Sequence, residues 1–226
     1  MIKIGIHQPN FLPHTGFFKK LFLSDIFVIL DDVQFSRRSF TQRTLIKYDN
    51  FAGWLTIPVL KKGRYYQLIK DTEIDNEREW MKMHLKTFYH FYRKARYFFE
   101  IYDILKEIYS KKERFLIDFN IRGIYRIKDY LGIDKKIVFS SEINVKGTKT
   151  DRIIQILKRL DGNVYVSGEG GKKYLDMDKM NENGFKVIFY ERVKEYRQLG
   201  LGFIPGLSII DLLFNEGKMG IEWIRG

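Results

Sequence analysis

Histidine is scarce in this chain, four in 226 residues, yet two fall in one short loop, His7-Gln8-Pro9-Asn10 followed by Pro13-His14-Thr15-Gly16. An imidazole with an ordinary pKa near ~6.5 can take or give a proton at neutral pH. His7 therefore reads as a candidate general acid or base. His14 reads as a phosphate ligand, because a helix opening near Gly16 would aim backbone N–H groups and its positive end at an anion there. Gln8 and Asn10 add amide donors and acceptors. The bland alternative is a satisfied structural His7 and an exposed His14. The density of His, Gln, Asn, Pro and Gly favours the functional reading for His7.

A second segment, Asp31-Asp32-Val33-Gln34-Phe35-Ser36-Arg37-Arg38, continues to Gln42-Arg43 and Lys47. Carboxylates directly after an apolar run must be paired, solvated or metal-bound. Asp32 is the second candidate base. Arg37, Arg38 and Arg43 suit bidentate binding of phosphate or carboxylate, with Gln34 beside them. A charged hairpin with local ion pairs explains the same residues equally well.

Two further segments are weaker. Ser167-Gly168-Glu169-Gly170-Gly171 lets backbone approach a ligand closely, but it matches neither the P-loop nor the dinucleotide fingerprint. In Ser208-Ile209-Ile210-Asp211-Leu212-Leu213-Phe214-Asn215, Ser208 and Asp211 have capping-box-like spacing. Asp211 and Asn215 lie one turn apart and would share a face lining a pocket. No metal site is expected: cysteine is absent, and His84 and His90 are six apart, off one helical face.

Elements must hold these residues. Lys3 to Ile6 reads as a strand, with a short helix from Phe17 to Leu23 capped by Thr15. Ile26 to Leu30 is a continuous apolar strand of the kind buried in parallel sheets. Gly53 to Val59 is a further strand. An apolar stripe predicts one long helix from about Glu77 to Tyr109, and another runs from Glu113 to Leu131, closed by Gly132. Lys136 to Ser140 is a strand, followed by a helix capped by Thr148 or Thr150 and ending at Gly162. Strand Val164 to Val166, helix Lys173 to Asn183, strand Phe185 to Tyr190 and helix Ser208 to Glu216 complete the chain. The order predicts an α/β protein with a mostly parallel sheet flanked by helices. It is expected to be one domain over 1–226, with a helical insertion at about 75–135.

Composition bounds the function. Aromatics make up 16% of the chain, which excludes disorder as the main state. No apolar run approaches the ~20 residues that span a bilayer, and Met1 to Gly5 shows no signal-peptide core, so a cytoplasmic protein is expected. The net charge is +12, with net +3 in residues 1–60, +7 in 61–140 and +2 in 141–226. The excess sits on the central helices, as on a solvated helix face, and nucleic acid ranks as the least favoured partner. A small molecule, phosphorylated or nucleotide-linked, is favoured. The sequence assigns neither a cofactor nor an oligomeric state.

As an ordered set, His7-Gln8-Pro9, Pro13, Gly16-Phe17, Lys20, Asp32-Val33-Gln34-Phe35, Arg43, Trp54-Leu55-Thr56-Ile57-Pro58-Val59, Ser167 to Gly171 with Tyr174-Leu175, and Ser208 to Gly217 resemble the WbqC-like family over essentially the whole chain. The resemblance implies a role in surface-polysaccharide (O-antigen-like) biosynthesis and adds Tyr174 to the candidate binding residues. That context, with the polar residues clustered at strand ends, leads to the expectation of a transferase acting on a nucleotide-activated sugar, by acyl or aminoacyl transfer; the alternatives are a nucleotidyltransferase-like activating enzyme and a basic nucleic-acid-binding module. A fainter likeness to HIGH-superfamily (HUP) nucleotidyltransferases rests on His14-Thr15-Gly16-Phe17, where Phe17 replaces the second histidine of H-x-G-H.

Overall fold

The computed structural model describes residues 1–226. Strand β1 (Lys3–His7), helix α1 (Thr15–Leu23) and strand β2 (Ile26–Ile29) form the first parallel unit. The hairpin β3 (Arg43–Tyr48) and β4 (Phe51–Thr56) follows, then helices α2 (Trp80–Tyr92), α3 (Phe98–Ile108) and α4 (Leu116–Tyr130). Alternation resumes with β5 (Lys136–Phe139), short α5 (Ser140–Ile143), α6 (Lys149–Arg159), β6 (Val164–Gly168), α7 (Met177–Glu182) and β7 (Lys186–Tyr190). Helices α8 (Ile209–Glu216) and α9 (Gly220–Arg225) close the chain. Five strands make one sheet in the order β5-β2-β1-β6-β7, every pair parallel, while β3 and β4 pair only with each other. This is the expected α/β class.

The strand period sorts the core. Along β2, Phe27 and Ile29 face a large cluster with Phe17, Phe18 and Leu21 of α1, whereas Val28 faces a smaller one with Ile153, Ile154 and Leu157 of α6. Burial on both faces is why this run is apolar throughout. Each such fully buried Phe, Leu or Ile contributes about 1.5–3 kcal/mol. The large cluster continues from the sheet face through α8 into α2, α3, α4 and the hairpin.

Gly5 lets α1 cross β1 closely. A Cβ there would collide with Ser24 Oγ and sit 3.1 Å from Lys20 Cγ. The aliphatic stem of Lys20 therefore lies against the middle of β1, and its ammonium reaches the carboxyl end of the strand.

Several expectations are corrected. The run from Glu77 to Tyr109 is two helices, because the backbone turns between Tyr92 and Phe98. Tyr97 N–H donates to Phe214 O of α8 at 3.0 Å instead of continuing a helical ladder. The cap of α1 is His14, whose Nδ1 accepts from Gly16 N–H, and not Thr15. Residues 169–173 form a tight 3-10 turn, and α7 starts only at Met177, capped by Asp176. Asp31 and Asp32 pair with none of Arg37, Arg38 or Arg43; their partners lie on α5 and α6. No helix is long and apolar enough to cross a membrane.

Candidate functional site

The chain leaves β1 toward β2 and β5 on one side and later enters β6 and β7 on the other. The strand order therefore reverses between β1 and β6, the position where doubly wound sheets open a crevice at their carboxyl ends. Lys3, Ile4 and Gly5 are level with Val164, Tyr165 and Val166, so that register sets His7 beside Gly168. Two clefts open there. The larger, about 780 Å³, is lined by His7, His14, the glycine-rich turn 168–171, Tyr190, and an irregular segment, 192–207. The smaller, about 530 Å³, is lined by Gln8, Gln34, Tyr165 and, at the start of α6, Gly147, Thr148, Lys149 and Arg152. His7, Lys20 and Tyr174 line both.

Hydrogen bonds assign the two imidazoles complementary roles. His7 Nδ1 lies 3.0 Å from Gln8 O, which can only accept, so Nδ1 carries the proton and Nε2 keeps its lone pair. His14 Nδ1 accepts from Gly16 N–H at 3.0 Å, which leaves Nε2–H as a donor. The rings stand edge to face with centroids 6.3 Å apart. Burial, then the positive charge of Lys20, then His14 push the His7 pKa well below 6.5, against the pull of the Gln8 carbonyl. Burial and Lys20 lower that of His14 to about 4. At neutral pH the pair is thus an uncharged base beside an uncharged donor.

Lys20 is 5% exposed, and its Nζ donates to Ile6 O at 3.1 Å. It has no carboxylate partner within salt-bridge distance, and burial lowers its pKa to about 8. Sequence reasoning did not place Lys20 in the site, though a signal existed. It falls on the apolar face of α1, three residues after Phe17 and one before Leu21, where a lysine is costly without a task.

The loop carrying both histidines is pinned from three directions. Asn120 Nδ2 of α4 donates to Pro9 O and Thr41 O, both at 2.8 Å. Thr44 Oγ1 of β3 and Ser208 Oγ at the start of α8 both donate to Leu12 O, at 3.0 and 2.8 Å. Tyr190 OH of β7 donates to Gly16 O at 2.8 Å. The hairpin and helical block therefore serve the site as the clamp on its central loop.

The remaining expected residues are dispersed. Asp32 lies outside both cleft linings, held by Ser140 Oγ and by Arg152 Nη2 at 2.5 Å. Burial works to raise its pKa, but those two partners outweigh it and hold the carboxyl below its usual value. Asn10 is buried beneath the loop. Arg37 is exposed over the Tyr65 ring, Arg38 donates from its backbone to Gln42, and Arg43 stacks on Trp54 with 3.8 Å to the ring centre. Ser167 is buried behind the glycine turn, its hydroxyl donating to Gly168 O. Asp211 is fully buried and accepts from Tyr92 and Tyr196, each at 2.8 Å; Asn215 donates to its backbone carbonyl. Two of this group bear on a cleft through a partner: Asp211 holds Tyr196 at the wall of the larger one, and Asp32 holds Arg152 at the wall of the smaller.

A doubly wound α/β protein with its polar cleft at the switch point is the class these features define. The model of the WbqC-like protein family matches residues 8–222, and the chain belongs to this family. The chain is also similar to the uncharacterized protein Rv1507c of Mycobacterium tuberculosis (strain ATCC 25618 / H37Rv). They are 34% identical over 228 residues, covering 100% of this chain and 98% of the other. No solved structure matches it.

Proposed function

We propose that this protein is a transferase of surface-polysaccharide biosynthesis that moves an acyl or aminoacyl group onto the amine or hydroxyl of a nucleotide-activated sugar. The supporting observation is the His7–His14 pair: a lone pair and an N–H donor, on uncharged rings, at one wall of the larger cleft. His7 Nε2 accepts the proton of the attacking amine as its nitrogen bonds to the acyl carbonyl carbon. His14 Nε2–H stabilises the oxygen that becomes negative, as oxyanion donors do. Collapse breaks the bond to the leaving thiolate or alkoxide, which takes the proton back from His7. Asp32, the other expected base, is occupied by Ser140 and Arg152, which favours His7 in that role.

The test is complementation of a deletion strain, with the polysaccharide's acyl substituents read by mass spectrometry. His7→Ala and His14→Ala are each expected to cut substitution about a hundredfold or more. Full substitution with both variants would sink the assignment.

A second reading, nucleotidyl transfer, is favoured by His14 at the opening of α1 beside the switch point. Phe17, where the superfamily has its second histidine, is fully buried and packs on His7 with ring centres 5.0 Å apart, so it offers no donor. Magnesium-dependent pyrophosphate release from a nucleoside triphosphate would decide for it.

A further inference from the structure

We infer that Lys20 is the counter-charge for a diphosphate seated in the smaller cleft, with the organic part of the same ligand lying in the larger one. This rests on the nucleotide-linked substrate proposed above and says where its anionic part sits.

Two buried lysines make the contrast. Lys47, 3% exposed, donates to Gly202 O at 2.6 Å, Leu201 O at 3.1 Å and Gln198 Oε1 at 3.4 Å, which uses all three of its N–H groups. Lys20, nearly as buried, spends one on Ile6 O and turns toward both clefts with the other two unmet. A buried ammonium without an opposite charge is costly, so an anionic ligand is the natural complement. The smaller cleft has no acidic side chain in its lining. Its rim supplies a second positive feature, the opening turn of the 11-residue helix α6. There Thr148 makes no side-chain cap, Gly147 and Lys149 take left-handed φ values of 107° and 49°, and Lys149 joins the lining. A lysine on the floor and a helix N-terminus on the rim fit two linked phosphates better than one carboxylate. Tyr174 and His7 connect this seat to the larger cleft, where Tyr190, Tyr196 and Phe203 offer ring faces for a sugar or base.

The experiment is calorimetric titration of the full chain with inorganic pyrophosphate and with inorganic phosphate, at about pH 8.5, in buffers of different ionisation enthalpy. Lys20 is partly neutral there and must charge on binding, so pyrophosphate is expected to carry proton uptake and to bind about tenfold tighter than phosphate. The other titratable and charged groups lining the two clefts are His7 and His14 from β1 and its loop, Tyr165, Glu169 and Tyr174 from β6 and the turn beyond, Tyr190, Arg192 and Tyr196 from β7 and the segment after it, and Lys149 and Arg152 from α6. The Lys20→Met difference therefore identifies the proton. This variant is expected to lose the uptake and about tenfold in affinity, and Lys149→Ala to lose affinity but keep the uptake. If Lys20→Met does not fold, uptake that survives Lys149→Ala supports the proposal. No binding at millimolar pyrophosphate, or binding whose affinity and proton linkage are the same in Lys20→Met as in the unsubstituted chain, overturns it. Loss of this linkage with His7-dependent transfer intact refutes the diphosphate seat alone. The converse result refutes the transfer chemistry alone.

Discussion

His7 and His14 are kept uncharged by the same surroundings that bring them together: burial, and the ammonium of Lys20 nearby. A base must be unprotonated to act, so lowering its pKa extends activity toward acid. The kcat/KM of the transfer is therefore expected to hold steady down to pH 6.5 and to fall only below it, as His7 protonates. On the alkaline side, kcat/KM reports the free enzyme and is expected to decline above about pH 8, as Lys20 loses its charge. In the ligand-bound state the anion holds Lys20 charged, so kcat should decline only at higher pH than kcat/KM. An acid limb centred above 6.5 would argue against His7 as the base.

The elements act on the site through a few anchoring contacts. The irregular segment after β7 forms the outer wall of the larger cleft, with Gly200, Gly202 and Gly206 all at positive φ. Lys47 on β3 clasps it through two backbone carbonyls and Gln198, and Gln198 in turn exchanges hydrogen bonds with Ile204. The backbone N–H of Lys47 donates to Tyr92 OH, which donates to Asp211, which also holds Tyr196. Hairpin, α2, α8 and the cleft wall are thus one network. Lys47→Met keeps the apolar stem and removes the clasp. It is expected to speed amide exchange across 198–206 about tenfold or more while the parallel strands stay protected, and to raise KM more than it lowers kcat. Equal protection of 198–206 in the variant would show that the wall stands without Lys47.

Across the whole molecule, acid should be the main enemy of stability. His14 and His84 are both held near a pKa of about 4 by burial, against 6.5 when unfolded, and His7 is lowered in the same sense. The unfolded chain then binds more protons than the folded one below pH 6.5, so stability falls as pH drops from there toward 4. His14 and His84 each account for up to ~3 kcal/mol of that loss. Urea midpoints measured between pH 7 and 4 should fall steeply, and the slope should shrink in His84→Gln, which lies outside both clefts. The large apolar cluster runs unbroken from the sheet face through α8 to α2, α3 and α4. A single cooperative transition is therefore expected, and separate unfolding of 75–135 would contradict the single-domain reading.

What the sequence determined by itself was the local order of elements and the chemical types at the strand ends. The apolar run Ile26 to Leu30, the Pro and Gly breaks after β1 and the Gly132 stop at α4 are short-range signals, set by backbone sterics and by burial periodicity. The family resemblance was carried by the loop after β1 and by the segments Asp32 to Phe35, Trp54 to Val59, Ser167 to Gly171 and Ser208 to Gly217. Only the tertiary structure decided which of those residues meet. His7 and Gly168 become neighbours because β1 and β6 pair across 161 residues of chain, and Asp32 leaves the group because Arg152 of α6 reaches it first. The arginines after Asp32 are near it in sequence and turned away from it in space. Lys20 was the reverse case. Its local setting marks it only as a misplaced charge on an apolar helix face, and its place beneath two clefts exists because Gly5 lets α1 lie close against β1. Charge and hydrogen-bonding partners act over a few ångströms of space, whatever the separation along the chain, so pairing belongs to the fold.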